Sequence, residues 1–434
     1  MQRILSFDQT PPLSAPLRFF LSAPLFSMVA AALLFWQGPE ALASRWSPFT
    51  LALTHLMTLG FLASAMLGAM MQILPVVAGI MLPRPRLTAV VVHTFLTAGT
   101  ALLAAAFWLS QAVLFKLALV CLVSAFGWLL AAAAIGLVQA PAPGAAATVA
   151  AIRLALAALL ITVLLGAALA SAFAWPIALP LILMTELHVT WGLLGWVGLL
   201  VIGVAFQVVP MFLVTPLYPS RMTRWLAALL FALLVLWSSI EVLVPAPPSW
   251  PTALVSSLIA ITMMIFAATT LYLLWRRKRP HADAPTLFWR TAMISLLACT
   301  GLWIASPAIV PATHPLTLGA LFIIGFGYSA VNGMLYKIVP FLVWYHAQNE
   351  VAIGSRTVPS VKNILPDTIA TKQFWCHLAA LLLLVGATLW PVLLTRVAAG
   401  ALCLSSGWLA FNLFHAAQVY WRIKRTARLA LVAP

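Results

Sequence analysis

Three apolar stretches of this chain carry one spaced set of residues: Gly-x7-Gly-x3-Gln/Lys, two aliphatic residues and a Pro. The copies are Gly60, Gly68, Gln72 and Pro75; Gly195, Gly203, Gln207 and Pro210; and Gly325, Gly333, Lys337 and Pro340. A single His precedes each copy on the same stretch: His55, His188 and His314. The copies recur about every 130 residues. That is room for four membrane helices, each needing ~20 apolar residues. The expected plan is therefore a threefold repeat of four helices, with units roughly at 16–140, 148–276 and 287–422.

Hydrophobic residues make up 64% of the chain and charged ones 7%, which excludes a soluble globule. Twelve apolar runs long enough to span a bilayer are predicted, at 16–36, 48–78, 87–110, 114–139, 149–173, 178–215, 223–245, 252–275, 287–308, 315–345, 373–395 and 398–421. The second, sixth and tenth carry the repeated signature and are the longest. The fold class is all-α integral membrane: twelve transmembrane helices in three pseudo-threefold four-helix arcs, forming a single transmembrane domain over 1–434. The apolar leader, with Ala41-Leu42-Ala43 after it, reads as a span and not a cleaved signal peptide, because its run is long and Asp8 interrupts the leader.

The net charge of +16 is not a nucleic-acid footprint. Arg84, Arg86, Arg221, Arg224, the Arg276–Arg279 run, Arg290, Arg356, Lys362, Lys372 and the tail Arg422–Arg428 all fall on one side of a twelve-span plan. Only Arg45, Lys116 and Arg396 fall on the other. This is the positive-inside bias. It places both termini in the cytoplasm of a bacterial inner membrane, with anionic lipid as the partner of the basic face. The loops are short except for 347–371, which reads as an ordered loop or a flap. The four cysteines, Cys121, Cys299, Cys376 and Cys403, sit singly in apolar segments and suggest neither a disulfide framework nor a zinc site.

On this topology the second, sixth and tenth spans run from outside to inside, so the three histidines lie in the outer half and Gln72, Gln207 and Lys337 in the inner half. Twelve helices, pseudo-threefold symmetry and outer-half histidines on those spans resemble the large catalytic subunit of the heme-copper oxidase superfamily, over essentially the whole chain. The resemblance implies that His55 and His314 ligate a b-type heme and that His188 stands in place of a copper ligand. The chain departs from that pattern in three ways. The seventh span (223–245) lacks the family's His-His pair, Gly192 occupies the place of a tyrosine four residues after His188, and the tenth span has one His where the family uses two. An oxygen-reducing heme–copper centre cannot be built from what remains. Twelve-span proteins associated with nitric oxide stress are a functional analogue, although their characteristic sequence is not found here.

Three groups of residues are candidates for chemistry. His55-Leu-Met-Thr-Leu-Gly60 and His314-Pro-Leu-Thr-Leu-Gly319 look like duplicates of one motif, which favours paired axial ligation of a heme. Against it, His55 lies five residues before the first signature Gly and His314 eleven, an offset of roughly 9 Å along the axis. Glu186, His188 and Glu241 form a second group, suited to a divalent metal or to proton transfer. Gln72, Gln207 and Lys337 form a polar collar, either lining a proton or solute path or acting as polar glue between helices. His93, His377, His346 and His415 gather near the inner face, and Met57, Met66, Met70 and Met71 form a Met-rich patch.

The leading expectation is a heme-containing electron-transfer or redox- or nitric-oxide-related membrane protein that is not an oxygen reductase. Its partners would be quinol or a periplasmic carrier. A cofactor-free transporter or channel for a small solute, ion or proton is the alternative, and a scaffold for a partner oxidoreductase subunit is a third.

Overall fold

The computed structural model describes residues 10–139, 145–244, 249–305, 314–350 and 358–432. Among them, twelve helices are long and apolar enough to cross a membrane. They are α1 (Ser14–Leu42), α2 (Pro48–Ala78), α3 (Pro85–Leu109), α4 (Ala112–Leu137), α5 (Ala146–Ala174), α6 (Leu181–Leu213), α7 (Ser220–Leu243), α8 (Trp250–Trp275), α9 (Ala284–Ala305), α10 (His314–Glu350), α11 (Asp367–Leu389) and α12 (Pro391–Thr426). No strand occurs among the described residues. Part of the 347–371 loop, at 351–357, lies outside the described residues, as do 245–248 and 306–313. α10 itself continues to Glu350, and a short helix Val361–Ile364 precedes α11.

The neighbour pattern repeats three times. The first helix of each unit packs on the second and the third, and the third packs on the fourth; this holds for α1–α4, α5–α8 and α9–α12. The units join fourth helix to first: α4 on α5, α8 on α9, and α12 on α1, which closes the ring. The second helices α2, α6 and α10 are the most buried and occupy the centre. Large apolar side chains such as Val120, Ile135, Leu164, Leu382 and Phe411 point outward, as a lipid-facing surface requires.

The signature glycines explain this packing. A Cβ on Gly60 would sit 2.4 Å from Phe26 of α1, on Gly195 2.9 Å from Ala158 of α5, and on Gly325 2.5 Å from Ser295 of α9. Gly68, Gly203 and Gly333 would likewise strike Phe19, Ala151 and Phe288 of the same three helices. The Gly-x7-Gly spacing is thus the seam of each central helix against the first helix of its own unit, where small residues let backbones approach.

Each central helix also widens into a π-helical stretch at the same level: Leu56–Ala63, Trp191–Gly198 and Ala320–Tyr328. Ser64 Oγ donates to the Leu59 carbonyl at 3.3 Å and Ser329 Oγ to the Ile324 carbonyl at 3.2 Å, each five residues back. π-Helical turns are rare and concentrate at functional sites. At its lower end α2 stops at Gly79 in the left-handed region (φ 66°), with Ile80 N–H returning to the Leu74 carbonyl at 2.9 Å. The basic end of the bundle, with Arg84, Arg221 and Arg276, is opposite the end that carries Arg45; the latter is called the far end below.

Candidate functional site

The far half of the bundle encloses a cavity of about 490 Å³ whose wall is apolar except for a few polar groups, among them His55, His188, Arg45 and Thr162. That size falls in the range of pockets that take cofactor-sized ligands, about 300–1,000 Å³.

His55 ends the first α-helical part of α2, immediately before the π-helical stretch. Its Nδ1 lies 2.7 Å from the Leu51 carbonyl one turn earlier, and its ring stacks on Phe107 of α3 at 5.5 Å. His188 reaches from α6 to α5, with Nδ1 3.0 Å from the Thr162 carbonyl. Its ring rests on Gly166, where an added Cβ would lie 2.8 Å from Cε1. A carbonyl accepts only, so both imidazoles hold their hydrogen on Nδ1 and keep the Nε2 lone pair unused by the protein. The two ring centroids are 6.2 Å apart with planes 22° from parallel.

His314 is not part of this pair. Its Nε2 is 3.4 Å from the Leu302 carbonyl of α9, and although its neighbours Pro315 and Leu316 line the cavity, His314 does not. The π-helical stretch begins one residue after His55, three after His188 and six after His314. His314 therefore sits about 7 Å further along its helix than His55 does, whereas His188 is within about 3 Å of the same level.

The expected metal group of Glu186, His188 and Glu241 is not formed. Among the described residues no three His, Cys, Asp or Glu side chains stand close enough together to hold a metal ion. Glu186 is instead ion-paired with Arg45 from the connection between α1 and α2, and Arg45 lies 4.4 Å over the Trp46 ring. Both members of the ion pair are about one-third exposed. Arg45 and Trp46 line the cavity, so the pair marks where it nears the far surface. Glu241 is half-buried on α7.

The collar residues stay at one level but do not surround the axis. Gln72, Gln207 and Lys337 each follow the second signature glycine by four residues, which puts them on the glycine face, toward α1, α5 and α9. Gln72 and Gln207 are buried, and Lys337 Nζ meets Asp283 Oδ2 at 2.8 Å just before α9. The axis at that level is a narrow cavity of about 60 Å³ lined by apolar residues such as Met66, Met70, Val201, Val204 and Met334. A polar path down the centre is not what this collar makes.

Asp283 lies outside the spans and also accepts from Arg277 Nη1 at 3.2 Å. Burial pushes its carboxyl up, but hydrogen bonds from Lys337 and Thr286 and the charges of Lys337 and Arg277 outweigh burial and hold it down at about 2. The histidines expected to gather at the inner face find separate partners: His93 Nε2 bonds Ser22 Oγ at 3.0 Å, His377 Nε2 bonds Ser329 Oγ at 2.7 Å, and His415 stacks on Phe411. The four cysteines are free.

Sequence reasoning missed Thr162, Gly166 and Phe107, which shape the histidine pair from α5 and α3. Arg45 did carry a signal, as one of only three cations on its side of the bundle. Comparison of the chain with protein-family models and with curated proteins finds no match.

Proposed function

We propose that His55 and His188 would hold a heme in the far-end cavity, and that the protein is a membrane electron-transfer or redox-responsive protein of heme-copper oxidase ancestry without oxygen-reductase chemistry. The observation that carries this reading is the histidine pair itself. Two imidazoles sharing one metal at about 2.0 Å from a nitrogen of each have centroids about 6 Å apart, and the observed spacing is 6.2 Å. Backbone carbonyls fix both rings through Nδ1, the outer-shell arrangement that orients metal-binding histidines. Two protein ligands leave a tetrahedral metal site two short, whereas a porphyrin brings four nitrogens of its own. When bound, a heme supplies a reversible one-electron couple.

This reading keeps His55 as a ligand and replaces His314 with His188. The apolar cavity wall and Phe107 would surround a bound heme with apolar groups, and such surroundings tune a heme potential. Quinol or a periplasmic carrier would deliver or accept the electron, in a bacterial inner membrane with both termini cytoplasmic. The transporter alternative has less support, because the polar collar faces the glycine seams and the axis at its level is apolar.

The test is the absorption spectrum of the full chain purified after expression with hemin. A Soret band and split α/β bands after dithionite are expected. His55→Ala and His188→Ala should lose them, and His188→Met should retain pigment with a shifted spectrum. His314→Ala should match the wild type. Colourless, folded wild-type protein overturns the reading, and so does loss of pigment in His314→Ala with retention in His188→Ala.

A further inference from the structure

Helix α10 departs from its two repeat partners along one face. Aligned on the second signature glycine, Tyr328, Asn332 and Tyr336 stand where α2 has Ala63, Leu67 and Met71 and α6 has Gly198, Ile202 and Phe206. The spacing of four sets the three polar groups in a row, one turn apart. Two copies of the repeat pack this row with apolar residues, so packing does not demand an amide and two phenols in the third.

The row faces further polar groups on α11 and α12. His377 is fully buried, with Nε2 on Ser329 Oγ at 2.7 Å, and Tyr328 stacks on its ring at 5.2 Å. The Tyr328 hydroxyl meets Ser406 Oγ at 3.1 Å, and Asn412 Nδ2 donates to the Tyr336 hydroxyl at 2.9 Å. Gln373 Nε2 donates to the Ser405 carbonyl at 3.1 Å. Five buried polar atoms of four residues in this column have no protein partner: both ends of the Asn332 amide, His377 Nδ1, Gln373 Oε1 and, nearer the basic end, His346 Nε2. Buried polar groups are met by protein or by water, and internal water collects where several such groups converge.

The column approaches the far-end cavity wall at one end and a part-exposed ion pair at the other. Upward, Ser329 bonds the carbonyl of Ile324, a lining residue of the far-end cavity, and Thr388 of the same cavity wall bonds Thr317 at 2.8 Å. Downward, Glu350 accepts from the Tyr420 hydroxyl at 2.9 Å and from Lys424 Nζ at 2.6 Å, and the Glu350–Lys424 pair is about one-third exposed. The eight-residue step along α12 from Asn412 to Tyr420, about 12 Å, is the stretch that water must bridge.

We propose that α10, α11 and α12 enclose a hydrated column that conducts protons between the basic end of the bundle and the far-end cavity. Each member passes a proton without net change. The His377 ring takes a proton on one nitrogen and releases one from the other, and each hydroxyl accepts on oxygen while giving up its own hydrogen. Water completes the links at Asn332 and His346. Glu350 and Lys424 are the charged groups at the entry; His346, His377, Tyr328 and Tyr336 are the titratable groups along it.

The test needs no electron donor. The full chain is reconstituted in liposomes containing a pH-sensitive dye, and a potassium–valinomycin potential drives protons inward. Wild-type protein should raise the rate at least tenfold over protein-free liposomes. Asn332→Leu, which installs the residue that α2 carries there, should return the rate to the protein-free value. Tyr336→Phe, which keeps the ring, should lower it severalfold, while Met71→Leu at the matching place on α2 should conduct like the wild type. The proposal is overturned if wild-type protein conducts no faster than protein-free liposomes, or if Asn332→Leu and Tyr336→Phe both conduct like the wild type. Colourless protein that conducts would uphold the column and remove the heme reading, so the two fail separately.

Discussion

The cavity wall contains three glycines whose surroundings differ in a graded way, and this grading tests whether the position of the His188 ring controls ligand binding. At Gly166 an added Cβ would stand 2.8 Å from His188 Cε1; at Gly192 it would stand 3.3 Å from Thr162 Cγ2; at Gly319 it would meet nothing within 4 Å. Ordinary contact begins near 3.4 Å, so Gly166→Ala must drive the imidazole away by about 0.6 Å or more, against the hydrogen bond that ties Nδ1 to Thr162. Overpacking of this kind costs about 1–3 kcal/mol. If that cost falls on the ligand-competent geometry, hemin affinity drops by about fivefold to 140-fold. Gly192→Ala asks only for a small shift of a methyl group and should cost less than threefold. Gly319→Ala should leave affinity unchanged. Hemin titration of the purified apoprotein, followed by absorbance, measures all three. Equal losses in the three variants, or a larger loss at Gly319 than at Gly166, would refute the idea that His188 placement sets the affinity.

Four further outcomes follow from the packing and the ion pairs. Gly325→Ala on the α9 seam should lose about 1–3 kcal/mol, read as a lower melting temperature in detergent, because its Cβ would lie 2.5 Å from Ser295; Gly301→Ala, with open space, should melt at or above the wild type. Asp283→Asn leaves Arg277, only 3% exposed, without its carboxylate, and should cost about 3 kcal/mol in a denaturant or thermal assay. Because the Asp283 carboxyl is held below its ordinary 3.8 at about 2, its contribution to stability is complete above pH ~4 and is lost as pH falls toward 2; Lys337→Met should flatten that acid limb of the melting profile. A double-mutant cycle on Arg45 and Glu186, both about one-third exposed, should return a coupling below about 1 kcal/mol, and a larger value would mean that the pair is shielded from water.

The architecture was legible in the sequence because two independent periods agreed: hydropathy marked twelve runs, and the glycine signature divided them by four. The same signature held more than was taken from it. A residue four positions after a seam glycine shares its face, so Gln72, Gln207 and Lys337 had to face α1, α5 and α9 once Gly68, Gly203 and Gly333 were recognised as packing residues. The histidine pairing was also written in the spacing. His55, His188 and His314 precede the first glycine by five, seven and eleven residues, so the nearer match in level was His188; the likeness to a family that pairs the second and tenth helices pointed to His314 instead. Arg45–Glu186 was not legible, because the partners are 141 residues apart and no local pattern joins them. The same holds for Gly166, which reads as one small residue in an Ala-rich helix until His188 is seen lying on it.

The three π-helical stretches show how one duplicated element came to support unequal halves. They begin four, four and five residues before the first signature glycine, so the widened turn belongs to the repeat and not to any one copy. Such turns cost helix stability and persist where a site uses them. Above the turn, α2 and α6 turn their histidines into the far-end cavity, while α10 offers it only Pro315, Leu316 and small residues such as Gly319. At the lower margin of the turn and below it the roles reverse: α2 and α6 present Leu67 and Ile202, while α10 presents Tyr328, Asn332 and Tyr336. Polar groups inside a bilayer are costly wherever they occur, and along this row only α10 carries them. On the proposed reading, a ligand held by His55 and His188 would take no histidine from the third unit, which lines the cavity with apolar and small residues such as Leu316, Gly319 and Ile323 and carries the proposed column.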